Sequence, residues 1–340
     1  MSIHLRFRTR KAWGILREGA SGLMDRLGWV PRSLQAPGRR LILMYHGVVP
    51  GRPARFNWRH VSTADFECHL RLLRKHCHLL SMADLHTGKV REDRLNVALT
   101  FDDGFQNNFL HALPLLEKYQ VPASFYITGA NEIGVSHLWP DLLDILSRHA
   151  GGKLSVGGMK FVKRGNVYFD EDSGESLASI IKHRYPDWNF KLTAFEAFKR
   201  WQPNLYRPDY RPFWELMTDE QIREVADSDR VTIGCHGYFH NNLGELPLED
   251  ALSELRKSRA YLERITGKQV RELAFPDGSY SPQLVREAMN QGFDVILGTE
   301  HHYGEAALSA APYRRAGIYS FKPRRAQLLD AVGLERQGHL

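Results

Sequence analysis

An α/β fold, a parallel sheet covered by helices, is what this sequence predicts, and three observations carry the expectation. Short apolar runs of strand length alternate with segments of helical periodicity. Such alternation builds parallel sheets, because parallel neighbours need a crossover between them. Polar residues with catalytic chemistry recur just after the runs, at His46, Asp102-Asp103, His236 and Pro276-Asp277-Gly278. In open α/β sheets and α/β barrels alike, sites are built at that carboxyl edge.

The first run is Leu41-Ile42-Leu43-Met44-Tyr45, which stops at His46-Gly47. A helix follows from about Ser62, with Phe66, Leu70 and Leu73 at i, i+4 and i+7 behind a Ser/Thr cap. Residues 95–99 read as a covered strand leading into Thr100-Phe101-Asp102-Asp103-Gly104, where the glycine permits a sharp turn. Leu113, Leu116 and Tyr119 give helical spacing across 107–119, and 121–128 is the next strand.

The rhythm breaks from about Gly134 to Pro212, in a stretch rich in charge and glycine pairs with helical signals near Leu142-Leu146 and Phe195-Phe198. Its tryptophans argue against a plain linker and for an inserted unit of mixed structure, a candidate lid. The rhythm then resumes. Thr218 and Gln221 form a capping box, Val231 to Cys235 is a strand ending at His236, and Leu248 to Thr266 is a long helix closed by Gly267. A strand over 270–275, a helix from Ser281-Pro282 to Gly292, and Val295-Ile296-Leu297 complete the pattern. The expected division is a basic extension (1–38), two parts of one main domain (39–133 and 214–325), the insertion (134–213) and a tail (326–340).

Composition narrows the function classes. At 340 residues, 43% hydrophobic and 25% charged, the chain is an ordinary globular protein able to bury a large core. The net charge of +7 is concentrated early: Arg and Lys crowd the first 40 positions against only Glu18 and Asp25. Trp13, Leu16, Leu23 and Trp29 interleave with that charge, so peripheral contact with an anionic membrane is expected as readily as an ordinary packed helix. No aromatic-interleaved basic face or reading motif points to nucleic acid. No run of 18 apolar residues and no uninterrupted signal-peptide core is seen. Cys68, Cys77 and Cys235 lack CxxC spacing and cannot all pair, which favours a reducing, cytoplasmic location.

The chemistry concentrates in two clusters. Two adjacent carboxylates at a strand's end are costly to bury unless a metal or hydrogen bonds share their charge. His236 and His240, spaced i, i+4, are expected one helical turn apart, able to hold one ion from the same side. A carboxylate from a neighbouring strand completes a two-His-one-carboxylate set suited to Zn²⁺ or another divalent transition metal. One Asp would then bind while the other takes a proton from water.

These residues resemble the polysaccharide deacetylases, carbohydrate esterase family four. The family's TFDDG motif is complete at Thr100 to Gly104; its S-H-[ST]-x-x-H motif is present as Cys235-His236-Gly237-Tyr238-Phe239-His240. Phe275 to Tyr280 is similar to R-x-P-[YF]-G, and Met44-Tyr45-His46-Gly47-Val48 to the first strand of a subgroup found with surface-polysaccharide biosynthesis genes. The resemblance covers about 40–133 and 214–320. It implies a distorted (β/α) barrel of about seven parallel strands, with Asp103, His236 and His240 as metal ligands and Asp102 as general base. It implies one divalent ion, Zn²⁺ first and Co²⁺, Ni²⁺ or Mn²⁺ also accepted, and an oxyanion donor in the backbone N–H of Asp277.

The departures are as informative. The motif arginine that pairs with the base is Ala274 here, with Arg314 or Arg315 as replacements. No L-x-H motif supplies a general acid, leaving His46, His301 and His302, of which His46 sits at the strand edge. Tyr45, Pro276, Gly278 and Trp139 are the expected substrate contacts, with Trp139 and Tyr238 able to stack on sugar rings. The function this predicts is metal-dependent removal of N-acetyl groups from an amino sugar in a polysaccharide or lipid-linked glycan precursor. The alternatives are a deformylase on a related precursor and a non-catalytic carbohydrate-binding protein that kept the fold.

Overall fold

The computed structural model describes residues 34, 36–53, 57–299, 312–321, 327, 328 and 331. Nearly all of the expected N-terminal extension and C-terminal tail, and His301 and His302, lie outside the described residues. In chain order the strands are β1 Arg40–Tyr45, β2 Gly47–Val49, β3 His60–Ser62, β4 His78–Leu79, β5 Asn96–Phe101, β6 Ala123–Ile127, β7 Lys153–Val156, β8 Met159–Arg164, β9 Val167–Asp170, β10 Val231–Cys235, β11 Glu272–Ala274, β12 Val295–Leu297 and β13 Ala316–Gly317. The helices used below are α1 Thr63–His76, α2 Leu113–Tyr119, α3 Trp139–His149, α4 Trp188–Ala197, α5 Asp219–Asp227, α6 Leu248–Thr266 and α7 Pro282–Asn290.

Seven parallel strands form the main sheet in the order β12-β11-β10-β6-β5-β1-β13, and β4 adds beside β5. The edges nearly meet. Tyr313 exchanges hydrogen bonds with β12, donating to Ile296 O at 2.8 Å and accepting from Gly298 N at 2.9 Å. Three residues later Ala316 pairs with Leu43 of β1, so 313–317 closes a distorted barrel.

Side chains alternate across the barrel wall with the strand period of two. Leu43, Tyr45, Leu99, Phe101 and Phe125 pack outward into the large core under α1 and α6. Ile42, Ala98, Tyr126, Ala274 and Leu297 form a smaller cluster on the opposite, inward face. Thr100 and Asp102 follow Ala98 at steps of two, so the strand period itself directs Asp102 inward. Gly234 is required on this face: a Cβ there would stand 2.5 Å from the Tyr126 ring.

The helices follow their sequence signals. Ser62 Oγ caps α1 by accepting from Asp65 N at 3.0 Å, the Thr218–Gln221 capping box opens α5, and Gly267 ends α6 at φ +66°. The helix expected over 107–119 is instead a π turn at Asn108–Ala112 followed by α2. Pro114 at the start of α2 has no N–H to continue the ladder backwards. Asn108 of the π turn donates Nδ2 to His46 O at 2.7 Å, and Asn107 just before it accepts from Val48 N at 3.1 Å through Oδ1, which fixes the chain leaving β1. Strands β2, β3, β4 and β13 are only two or three residues long, too short for a periodic signal.

Between β6 and β10 the chain builds α3, the antiparallel sheet β7-β8-β9 and α4 around a core of its own, including Trp139, Leu142, Phe161, Phe195 and Trp214. At its margin His137 packs between Phe195 and Trp214, with ring centroids at 5.4 and 6.1 Å, and burial pulls its pKa down to about 4. An unfolded histidine takes a proton near pH 6.5, so stability present above that pH is lost as pH falls toward 4, by about 3 kcal/mol in all. His137→Phe is therefore expected to hold its melting temperature better than the parent from pH 6.5 down to 4.5. Parallel acid profiles would show that His137 does not carry this sensitivity.

Candidate metal centre

Four polar side chains meet at the carboxyl edge because the ladder there runs one residue past the regular strands. Asp102 N donates to Tyr45 O and His236 N to Ile127 O, both at 3.0 Å, so each chain leaves its strand in register. Asp103 then turns at φ +77° and Gly104 at φ +82°. Four non-glycine residues among those described have positive φ, and three are in this site: Asp103, His240 and Asp277. Backbone held in that region is strained and persists where surrounding contacts over-determine it, as at functional sites.

Asp103 Oδ1 lies 3.3 Å from His236 Nε2 and 3.2 Å from His240 Nε2. One ligand atom from each of these three buried residues falls within 4.8 Å of the others. His236 Nδ1 is engaged with Ala274 O at 2.8 Å, which leaves Nε2 to face the cluster. Burial alone would raise the Asp103 carboxyl, but hydrogen bonds from both histidines and the charges of His240 and His46 hold it well below the usual range. A carboxylate oxygen and two imidazole nitrogens, converging and buried, are a donor set that fits a divalent transition metal.

The two histidines do not share a helical turn, as their spacing had suggested. Residues 236–242 form an irregular loop in which Gly237 (φ +69°) and His240 (φ +52°) reverse the chain. Those left-handed positions, rather than an i, i+4 helix face, turn both Nε2 atoms onto Asp103.

Asp102 has a separate environment. Arg315 grips it in a fork, Nη1 to Oδ1 at 2.6 Å and Nη2 to Oδ2 at 2.8 Å, while Arg315 Nε donates to Gly298 O at 3.0 Å. Of the two arginines expected to replace the motif arginine, it is Arg315, only 1% exposed, that reaches Asp102. Barrel closure explains why: 313–317 crosses from β12 to β1 and drops Arg315 into the interior, over the Tyr126 ring at 5.7 Å. Burial pushes the Asp102 carboxyl up, but the charges of Arg315 and His236 and the bonds from Arg315 outweigh it and hold it below the ordinary range.

The remaining expected residues fall into distinct places. His46 is partly buried beside the cluster; burial lowers its pKa while Asp103 and Asp102 pull the other way, and its Nδ1 has no hydrogen-bond partner among the described residues. Pro276 and Gly278 form the turn around Asp277, whose Oδ1 accepts from Lys182 Nζ at 2.7 Å. Two expected contacts are core residues. Tyr45 is fully buried, stacked on Phe101 at 5.2 Å with its hydroxyl 3.2 Å from His69 Nδ1, because its odd position in β1 faces the helices. Trp139, 3% exposed, donates its indole N–H to His240 O at 3.3 Å, so it supports the loop rather than offering a face to a sugar. Tyr238 is likewise buried, with its hydroxyl donating to Glu132 at 2.7 Å.

Sequence reasoning missed the cations that Lys182 and Lys191 bring from the unit between β6 and β10, and the surface aromatics Trp58, Tyr319 and Phe321. Trp58 and Phe321 are 45% and 64% exposed, and Tyr319 stacks on Phe321 at 5.8 Å. Both segments lie where the chain leaves β1: His60 pairs with Gly47 of β2, Ile318 N donates to Met44 O at 2.9 Å, and Ser320 N donates to Trp58 O at 2.9 Å.

The fold and the site together define a parallel α/β-barrel protein with an Asp-His-His candidate metal centre and an arginine-held aspartate beside it. Comparison with known proteins gives the family. The polysaccharide deacetylase profile matches residues 89–150 and 189–296, half of the chain, and the chain belongs to that family. The Bacillus subtilis (strain 168) protein YxkH, whose name assigns it provisionally to the same family, is 26% identical over 129 residues. That match takes in 37% of this chain and 44% of the relative, so it spans less than half the length of the curated relative. The deacetylase PplD of Streptococcus pyogenes, solved with acetate, superposes with a TM-score of 0.55 at 16% identity, over 87% of this chain and 99% of that one. IcaB of Ammonifex degensii gives 0.53 at 18% identity, over 88% and 97%. These likenesses show that the fold is shared. The profile leaves out 151–188, which contains β7, β8 and β9. Among the described residues, no helix is long and apolar enough to cross a membrane.

Proposed function

We propose that this protein is a metal-dependent hydrolase that removes N-acetyl groups from an amino sugar in a polysaccharide or lipid-linked glycan precursor. Asp103, His236 and His240 would hold one divalent ion, with Zn²⁺ best suited and Co²⁺, Ni²⁺ or Mn²⁺ also compatible with the donors. When bound there, such an ion supplies Lewis acidity and makes water acidic enough to lose a proton near neutral pH.

The observation that carries the reading is the split between the two aspartates. Asp103 Oδ1 faces both imidazoles, whereas both oxygens of Asp102 are taken by Arg315 and its Oδ2 stays 4.0 Å from His236 Nε2. These contacts support reading Asp102 as an ionised, oriented carboxylate that is not a ligand, which is what a general base requires. It takes a proton from the attacking water as the C–O bond forms, and returns it to the sugar nitrogen as the C–N bond breaks. The backbone N–H of Asp277 is assigned to the developing oxyanion. His46, at the end of β1 beside the cluster, is assigned to contacting the substrate.

The test is acetate release from a panel of N-acetylated sugars, oligomers and lipid-linked intermediates, with a formyl analogue included. No acetate from any of them, in metal-loaded protein, would remove the reading; preference for the formyl analogue would favour the deformylase.

Arg315→Lys keeps a charge but loses the fork. Its kcat is expected to fall roughly 10–100-fold, the range for residues that orient catalytic groups, with metal content unchanged. A normal kcat would show that Arg315 does not orient the base. The exposed aromatics beside β1 are assigned to pyranose rings flanking the reacting sugar, since aromatic faces pack well on apolar sugar faces. Trp58→Ala and Phe321→Ala should each raise KM several-fold on a pentamer and leave it unchanged on a monosaccharide; equal effects on both would reject that placement.

A further inference from the structure

The two histidines of the centre are held in different ways. His236 is oriented through its ring, by the bond from Nδ1 to Ala274 O. His240 has no equivalent: its Nδ1 is buried with no hydrogen-bond partner among the described residues. Its backbone also stands in the left-handed region without being glycine, so the position must be imposed from outside. Among the described residues, both groups that donate to its carbonyl come from the unit between β6 and β10. Lys191 Nζ of α4 donates to His240 O at 2.9 Å, and Trp139 Nε1 of α3 donates to the same oxygen at 3.3 Å.

We propose that Lys191, assisted by Trp139, is a positioning residue that holds His240 in its metal-binding conformation, so that the unit between β6 and β10 is a support of the metal centre rather than a separable lid. This rests on the reading of Asp103, His236 and His240 as ligands.

The surrounding contacts fit that role. Lys191 is 1% exposed, so its ammonium neither meets solvent nor stands at the surface for substrate. Burying the Lys191 amine without partners would be costly, and two acceptors on this loop take its donors. Besides His240 O, Lys191 donates to Asn241 Oδ1, and Asn241 Nδ2 donates to Glu254 Oε1 at 2.5 Å. Glu254 Oε2 in turn accepts from Tyr238 N at 3.3 Å and Phe239 N at 3.2 Å. The loop is therefore held on its barrel side by Glu254 of α6 and on its outer side by α3 and α4. Trp188 of α4 adds a stack on Phe239 at 5.1 Å. A lysine that merely filled the core of its own unit would have no reason to place its donors on this loop.

Lys191→Met keeps the apolar stem and removes the donors; Trp139→Phe keeps the ring packing and removes only the indole N–H. Full-length protein, stripped of metal and titrated with Co²⁺ while its d–d absorption is followed, reports the site without turnover. For Lys191→Met the expected result is Co²⁺ affinity weakened roughly 10–100-fold, with an altered d–d spectrum and a near-parental melting temperature of the metal-free protein. Trp139→Phe should move affinity and spectrum in the same direction by less. Parental affinity and spectrum in Lys191→Met would overturn the proposal, as would an affinity loss matched by a general loss of stability. Should Lys191→Met not fold, Trp139→Phe decides alone, and parental Co²⁺ binding in it rejects the clamp. If the parent protein itself binds no Co²⁺, the ligand assignment falls and the clamp with it, an outcome distinct from failure of the clamp alone.

Discussion

Asp102→Asn is expected to bind metal as the parent does and to lose acetate release by roughly 10²–10⁴-fold, the contribution of a positioned general base. The substitution is nearly isosteric, and Asp102 is not part of the Asp103-His236-His240 cluster, so the ligands should stay in place. What changes is chemistry: an amide cannot take the proton from water or return it to the amine. Half of the Arg315 fork is also lost, because an amide offers one acceptor oxygen where the carboxylate offered two. The check is paired, metal content and kcat on the same preparation. Unchanged acetate release would sink the base assignment; lost metal would mean that Asp102 is itself a ligand.

His236→Ala should behave differently. It removes one of the three proposed donors and leaves Ala274 O without its partner, so metal and turnover should disappear together. Turnover should fall at least as far as in Asp102→Asn. Excess metal should recover little of it, because two remaining donors cannot hold the ion in a fixed place. Metal content and acetate release across a Zn²⁺ titration would check this. Full activity at stoichiometric Zn²⁺ would place the ion elsewhere.

The contrast between these variants follows from how each residue reaches the site, and so does what the sequence could reveal. Asp102, Asp103, His236 and His240 were legible because each follows an apolar run by one residue or a few, and strand ends in a parallel sheet converge. The long helix over Leu248–Thr266, its glycine stop and the Thr218 capping box were legible for the same local reason. Tyr45 could have been placed correctly from parity alone: it shares the outward face with Leu43, while Asp102 shares the inward face with Ala98. Arg315 could not be separated from Arg314 by sequence, because the choice depends on where 313–317 crosses between the barrel edges. The Lys191 and Trp139 contacts to His240 span 49 and 101 residues, and no local pattern encodes them. The His236–His240 spacing misled because the same i, i+4 interval serves a helix and a loop with two left-handed turns equally well.

The central claim is that a divalent ion held by Asp103, His236 and His240 works with Asp102 to remove an acyl group from an amino sugar. Its most direct test is acetate release from N-acetylated glycan oligomers by chelator-treated protein, before and after addition of one equivalent of Zn²⁺ or Co²⁺. Parent and Asp102→Asn should be measured side by side. The account predicts no release without metal, recovery in the parent, and metal binding without recovery in Asp102→Asn. Release that persists after chelation, at equal rates in the two proteins, would contradict it.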